Sequence, residues 1–224
     1  MVSERVGSCS LLADIGSDHA YLPAALILSG DVQRAIVTDL RDGPLKNSVK
    51  TAEIYGLTDR MSFMKGDGLA AIRGAEVPDV ITICGMGGEL IAGMLSEEIS
   101  AARRSTLVLQ PMNNMPLLLS FLGKNGFSVS MQGMVTDGRG HFYRCVRAEY
   151  DGEIYDVDPV DAMYPSELAE RRDPVMLEYL RRELILEEKI LRSLQEGGAA
   201  DKDLIEEKKR IISVIRERME RYAD

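Results

Sequence analysis

Residues 11–23 read LLADIGSDHAYLP, and the fold turns on how that stretch is understood. An apolar run ends in Asp14-Ile15-Gly16, the pattern of a first strand entering the ligand-binding turn of a nucleotide-binding α/β fold. A dinucleotide site wants three glycines there, the second so that the backbone can approach a pyrophosphate. Here Gly16 is followed by Ser17, Asp18, His19, Ala20 and Tyr21, so only the first glycine is kept. A carboxylate at position 18 repels a pyrophosphate and obstructs its approach.

A cationic ligand without phosphate gains from the same carboxylate. S-adenosyl-L-methionine carries a sulfonium and an ammonium, so the turn favours it over a nicotinamide dinucleotide by charge as well as by shape. The duller reading is that Ser17 or Asp18 simply caps the next helix, and that His19 is a hydrogen-bonded structural histidine.

Outward from this turn, short apolar strands alternate with helical stretches. Leu11–Ile15, Arg34–Asp39, Met61–Lys65, Asp79–Cys84 and Thr106–Pro111 read as five strands, which predicts a parallel sheet with helices on both faces. Gly30 suits the end of the first intervening helix, while Gly43-Pro44 and Gly56 bracket the second. Met115-Pro116 opens a further helix that stops near Gly126. Two strand-like runs then flank Asp137-Gly138, a hairpin signal, so the sheet is expected to finish antiparallel.

The strand ends carry the chemistry. Asp39 lies 23 residues after Gly16, close to the ~20-residue spacing at which an acidic side chain takes ribose hydroxyls. Asp67 and Gly68 follow the third strand, where a carboxylate can accept from an adenine amino group. The segment CGMGG, with Gly85, Met86 and Gly87, follows the fourth, facing the place where a transferable methyl group points. Taken singly, Asp39 could merely end a strand and these glycines merely serve turns; the conjunction at four strand ends favours a ligand site.

After about residue 160 the strands stop. Ser166–Glu196 reads as one amphipathic helix with Leu177, Leu180, Leu184, Leu191 and Leu194 in register, broken by GGAAD. Ile205, Ile212, Ile215, Met219 and Tyr222 repeat the pattern, which predicts an antiparallel coiled-coil hairpin. The expected domains are 1–160 and 161–224.

Composition excludes several classes. No apolar run is long enough to span a membrane and the first ten residues lack an apolar signal core, so a cytoplasmic protein is expected. Cys9, Cys84 and Cys145 are too scattered for a disulfide framework, and with His19 and His141 they supply no metal-ligand cluster. The net charge is −9, yet residues 1–150 carry 14 Lys and Arg against 16 Asp and Glu, so a local basic face is compatible with that part. Arg103, Arg104, Arg139, Arg144, Arg147, Arg171, Arg172, Arg181 and Arg182 are the candidate phosphate contacts, each alternatively a solvated surface arginine.

At this point a resemblance becomes specific. ADIGSDHAYLP, GPLKNSVKTAEIYGLTDRM, GDGLAAI, ITICGMGGELIAGML, LVLQPMNN and DGRGHFYRCVRAEY together, and in order, resemble the bacterial tRNA (adenine(22)-N(1))-methyltransferase family. The likeness covers about residues 11–150 and continues more loosely into the C-terminal helices. It implies a Rossmann-like class I methyltransferase using S-adenosyl-L-methionine, with tRNA as substrate and the helical hairpin helping to engage it. Carried over by position, Asp14, Gly16, Ser17, Asp18 and His19 line the methionine part of the cofactor. Asp39 takes its ribose, Asp67 and Gly68 its adenine, and Gly85, Met86 and Gly87 the wall by the methyl group. Asp18 is the first candidate for a direct catalytic role, with His19 and Gln110 as hydrogen-bonding partners of the base. Many members read LQPN where this chain reads LQPMNN, so the substrate asparagine is Asn113 or Asn114. The family also has a longer N-terminus with a short helix, whereas 12 residues precede Ala13 here. The alternatives are a methyltransferase for another RNA position or a small molecule, a nicotinamide oxidoreductase, and a non-catalytic cofactor-binding module that engages a partner.

Overall fold

The computed structural model describes residues 1–196 and 202–223; the turn expected at GGAAD, 197–201, lies outside the described residues. A short helix α1 (Val2–Val6) precedes β1 (Cys9–Ile15), so the short N-terminus still supplies a helix before the first strand. There follow α2 (Tyr21–Ser29), β2 (Val32–Asp39), α3 (Asp42–Tyr55), β3 (Met61–Lys65), a 3-10 turn (Gly68–Ile72) and β4 (Val80–Met86). Then come α4 (Gly88–Glu97), α5 (Ile99–Ala102), β5 (Thr106–Pro111), α6 (Met115–Lys124), β6 (Phe127–Thr136) and β7 (Phe142–Tyr150). The chain ends in helices α7 (Pro159–Met163), α8 (Ser166–Glu170), α9 (Pro174–Glu196) and α10 (Lys202–Glu220).

Seven strands form one sheet in the order β3-β2-β1-β4-β5-β7-β6. β1 to β5 are parallel, and β7 joins β5 antiparallel with Val108 opposite Arg147. Leu12, Ala13, Ile81, Ile83, Leu107, Val108 and Leu109 are all fully buried, because central strands covered on both faces need unbroken apolar runs. The Asp79 carboxylate accepts from the N–H groups of Ser10 and Leu11, 2.9 Å each, and so fixes the start of β1 beside β4. The order reverses between β1 and β4, which makes the crevice at their C-terminal ends the topological switch point where open α/β sheets bind ligands.

The chain groups into two compact units, Met1–Gly133 with Tyr143–Asp156, and Met134–Phe142 with Val157–Asp224. In the second, Tyr164, Leu168, Met176, Leu180, Ile211 and Ile215 form a core that also takes Met134 from the hairpin tip. Helices α9 and α10 run antiparallel: Tyr222 donates to the Asp173 carbonyl (2.9 Å), and Lys208 pairs with Glu187 (2.8 Å). The single helix expected over Ser166–Glu196 is in fact two. Pro174 has no N–H to continue α8, and Asp173 Oδ1 caps α9 by accepting from Val175 and Met176 at 2.9 and 3.0 Å.

Leu180 is fully buried in this core. Leu180→Ala is expected to cost about 2–5 kcal/mol, through lost transfer energy and the cavity left behind. Urea denaturation followed by circular dichroism checks it.

Candidate cofactor and substrate site

The site is built where β1, β2, β3, β4 and β5 end. At the end of β1, Asp14 is 7% exposed, and its Oδ1 lies 2.6 Å from Thr82 Oγ1 on β4. Burial pushes its carboxyl above the usual range; hydrogen bonds from Ser17 and Thr82 pull only partly back. The same loss of solvent, with the Asp14 charge nearby, keeps the Cys84 thiol protonated and unreactive.

The turn itself is stitched to β2. The N–H groups of Gly16 and Ser17 both donate to the Thr38 carbonyl at 2.9 Å, and Ala20 N–H donates to Ser17 Oγ at 3.1 Å. Gly16 has φ +73, a conformation that favours glycine, and a Cβ there would also push aside the Met86 side-chain tip. Residues 16 and 86 thus meet across the switch point. Pro23 stands in the first turn of α2 and offers no N–H. The N–H groups of Gly16, Ser17 and Ala20, and the N–H that Pro23 lacks, are thereby withdrawn from the donors a dinucleotide loop offers to a pyrophosphate.

Asp18 does not cap α2, whose N-cap is Ala20 with φ 54. Its exposed carboxylate lies 3.5 Å from His19 Nε2, and the His19 ring stacks on Tyr21 with centroids 5.2 Å apart. Ser17 does hold the turn, so that half of the capping alternative has a counterpart in the structure. At the end of β2, Asp39 is buried; its Oδ1 accepts from Arg41 N–H at 2.7 Å, while Oδ2 has no partner among the described residues. Past β3, Asp67 lines a cleft of about 570 Å³ with Gly87, Glu89, Asn113 and Asn114. Gly68 lies against Met94 of α4.

The ends of β4 and β5 are joined. Gly85, with φ +76, sits at a register shift between Cys84 and Met86, and its N–H donates to Gln110 Oε1 at 3.0 Å. Gln110 Nε2 donates to the Pro111 carbonyl at 3.1 Å. Each end of that side chain makes one backbone hydrogen bond, so Gln110 braces the β4 bulge. Met112 N–H donates to Met86 O (2.8 Å), and Gly88 N–H to Asn113 O (3.1 Å). Asn113 Oδ1 lies against Gly87, and Asn114, with φ 51, starts α6. Both asparagines face the same cleft.

The arginines divide sharply. Arg144 is 8% exposed and hydrogen-bonded to Gln132, which takes it off any RNA surface. Arg147 donates to the carbonyls of Arg5 and Val6 and pairs with Glu149, anchoring α1 to the sheet. Arg103 lies over the Tyr150 ring at 4.9 Å, and Arg104 is exposed; both precede β5, at the sheet end opposite the site. In the helical unit, Arg182 sits over Phe142 at 4.7 Å and donates to the Gly140 carbonyl and to Glu183. Arg171 pairs with Glu167 (3.3 Å). Arg139, Arg172 and Arg181 are exposed. Lys189 and Arg192 were missed by sequence reasoning. With Arg181 and the 70% exposed Ile185 they form one stripe along α9 at steps of four, four and three, a spacing visible in the sequence once the register is known.

Carboxylates at the ends of β1, β2 and β3, a turn whose Gly16 and Ser17 N–H groups are bound to β2, and glycines at the switch point belong to a Rossmann-like methyltransferase fold. The profile of the tRNA (adenine(22)-N(1))-methyltransferase family matches residues 12–220, and the chain belongs to that family. It is 34% identical over 161 residues to the tRNA (adenine(22)-N(1))-methyltransferase of Bacillus subtilis strain 168, covering 67% of this chain and 66% of that protein. A putative tRNA (m1A22) methyltransferase of Streptococcus pneumoniae, solved with S-adenosyl-L-methionine, is 30% identical. It superposes with a TM-score of 0.82 over 97% of this chain and 96% of that one. The B. subtilis m1A22 tRNA methyltransferase structure gives 0.75 at 30% identity over 98% and 93%. Among the described residues no helix is long and apolar enough to cross a membrane.

Proposed function

We propose that this protein methylates N1 of the adenosine at position 22 in tRNA, using S-adenosyl-L-methionine, in the cytoplasm. One observation carries the cofactor choice. Gly16 and Ser17 spend their N–H groups on the Thr38 carbonyl, while Asp14 at the end of β1 and the exposed Asp18 bring carboxylates to the same turn, which suits a cation and repels a pyrophosphate. When bound, S-adenosyl-L-methionine supplies an electrophilic methyl group on a sulfonium centre. Asp14, Gly16, Ser17, Asp18 and His19 line its methionine part, Asp39 Oδ2 receives a ribose hydroxyl, and Asp67 with Gly68 borders the adenine. Gly85, Met86 and Gly87 form the wall nearest the reacting atoms.

The adenine N1 has a lone pair at neutral pH, so no strong base is required, and positioning with electrostatics supplies the acceleration. The base becomes cationic as it reacts. Asp18, exposed at the mouth of the turn, stabilises that charge, and His19 stands beside it as a hydrogen-bonding partner for the base. Asn113 or Asn114 offers amide hydrogen bonds to the base edge. Reaching N1 requires the base to leave its stack. Arg172, Arg181, Lys189 and Arg192 contribute phosphate contacts from 161–224, and Arg139 adds one from the hairpin turn; 1–160 and 161–224 thus divide catalysis from much of the tRNA grip.

Incubation of the protein with unmodified tRNA and methyl-labelled cofactor, followed by nucleoside analysis, is expected to yield 1-methyladenosine. Its absence, with S-adenosyl-L-homocysteine binding intact, overturns the reading in favour of another acceptor or a non-catalytic module.

A further inference from the structure

Tyr21 is the first residue of α2 and is 62% exposed, in a chain where aromatic residues make up only 5%. An exposed tyrosine is ordinary; this one is stacked. Its ring lies parallel to that of His19, 5.2 Å away at an interplanar angle of 4°, and His19 Nε2 lies 3.5 Å from Asp18 Oδ2. Between the two rings Ala20 adopts φ 54, an uncommon conformation for a side-chain-bearing residue, secured by its N–H donating to Ser17 Oγ. The Tyr21 hydroxyl bonds to nothing among the described residues, so hydrogen bonding does not account for the ring's placement. Most of the Tyr21 side chain is thus open to solvent, at the start of the helix that follows the β1 turn.

We propose that the His19–Tyr21 pair is a stacking shelf for the target adenine, with Tyr21 touching the base and His19 acting as a positioning residue behind it. The inference rests on the tRNA-adenosine reading above and adds the surface that holds the base outside its stack. A flat, preordered ring suits a flipped purine, because base–aromatic stacking needs only a π-face and loses little entropy when the ring is already fixed. The shelf also places the base next to the Asp18 carboxylate, where the methylated ring carries its positive charge.

The chain contains no tryptophan, so Tyr21→Trp places the only tryptophan at the shelf, excited selectively at wavelengths where the seven remaining tyrosines do not absorb. With S-adenosyl-L-homocysteine present, unmodified tRNA is expected to quench its fluorescence. The same tRNA made abasic at position 22 is expected to bind but not to quench. Equal emission changes with both RNAs overturn the shelf. Tyr21→Ala is expected to lower kcat/KM for tRNA by about 10- to 100-fold, with S-adenosyl-L-homocysteine affinity and thermal midpoint unchanged. Tyr21→Phe is expected to recover most of that loss. Unchanged kcat/KM in Tyr21→Ala, with wild-type protein active, sinks the shelf alone; a wild type that makes no 1-methyladenosine removes both readings.

Discussion

Asp14→Asn is expected to make the protein more stable at neutral pH and to cost it about 100-fold in affinity for S-adenosyl-L-homocysteine, the loss of one charged hydrogen bond in a dry site. Asp14 is buried between β1 and β4, and burial is the largest influence on its carboxyl, raising it above the ordinary value of 3.8. The folded state therefore binds this proton more tightly than the unfolded chain does. Stability from that preference is complete below the unfolded value and is lost as pH climbs through the raised folded one. At pH 7 the carboxylate is a net cost. Asparagine has the same shape and still accepts from Thr82 Oγ1, without the charge. A gain of about 1 kcal/mol, or roughly 2–4 °C in Tm, is the scale seen when a function-serving charge is removed. Thermal melts between pH 4 and 8 check the sign: the advantage of Asp14→Asn grows with pH and vanishes at the acid end. A variant less stable than wild type at every pH would show that the ionised group holds β1 and β4 together.

This opposition explains why the opening stretch was so informative. Five parallel strands were legible because buried central strands must be continuous in apolar residues; Met61–Lys65 and Thr106–Pro111 stand in the structure with the bounds the sequence suggests. Acidic residues ending such strands stand out because nothing about the sheet requires them. What was hidden depends on partners distant in the chain. Gln110 looked like a free amide until the Gly85 N–H, 25 positions away, was found against it. Arg144 and Arg147 looked like surface arginines because arginine is rarely buried, yet Gln132 holds the first and the carbonyls of Arg5 and Val6 the second. The break before Pro174 was readable in principle, since Asp173-Pro174 is a cap followed by a residue that cannot continue a helix. Leucine periodicity across it masked the signal.

The glycine that matters most beyond Gly16 is Gly88, and its case rests on space alone, since its backbone conformation is open to any residue. Gly88→Ala is expected to cost about 1–3 kcal/mol, the usual scale of overpacking, and to lower turnover at least about 100-fold, as displacements near 1 Å do in a positioned site. An added Cβ would lie 2.6 Å from the Asn114 carbonyl oxygen and 2.8 Å from that of Asn113. Neither is a side-chain tip that can swing aside. Both belong to the turn between β5 and α6, whose Asn113 carbonyl also accepts the Gly88 N–H. Relief must come from moving that turn or the start of α4, and either motion separates Gly87 from Asn113 across the cleft they share with Asp67. Gly87 and Asp67 also border the proposed cofactor, so S-adenosyl-L-homocysteine affinity should fall too, but less than turnover, because Asp14 and Asp39 stand on other strands and keep their places. Calorimetry and single-turnover methylation on the same preparation separate the two. Equal losses in both would place the Asn113–Asn114 turn in the cofactor pocket, not beside the base.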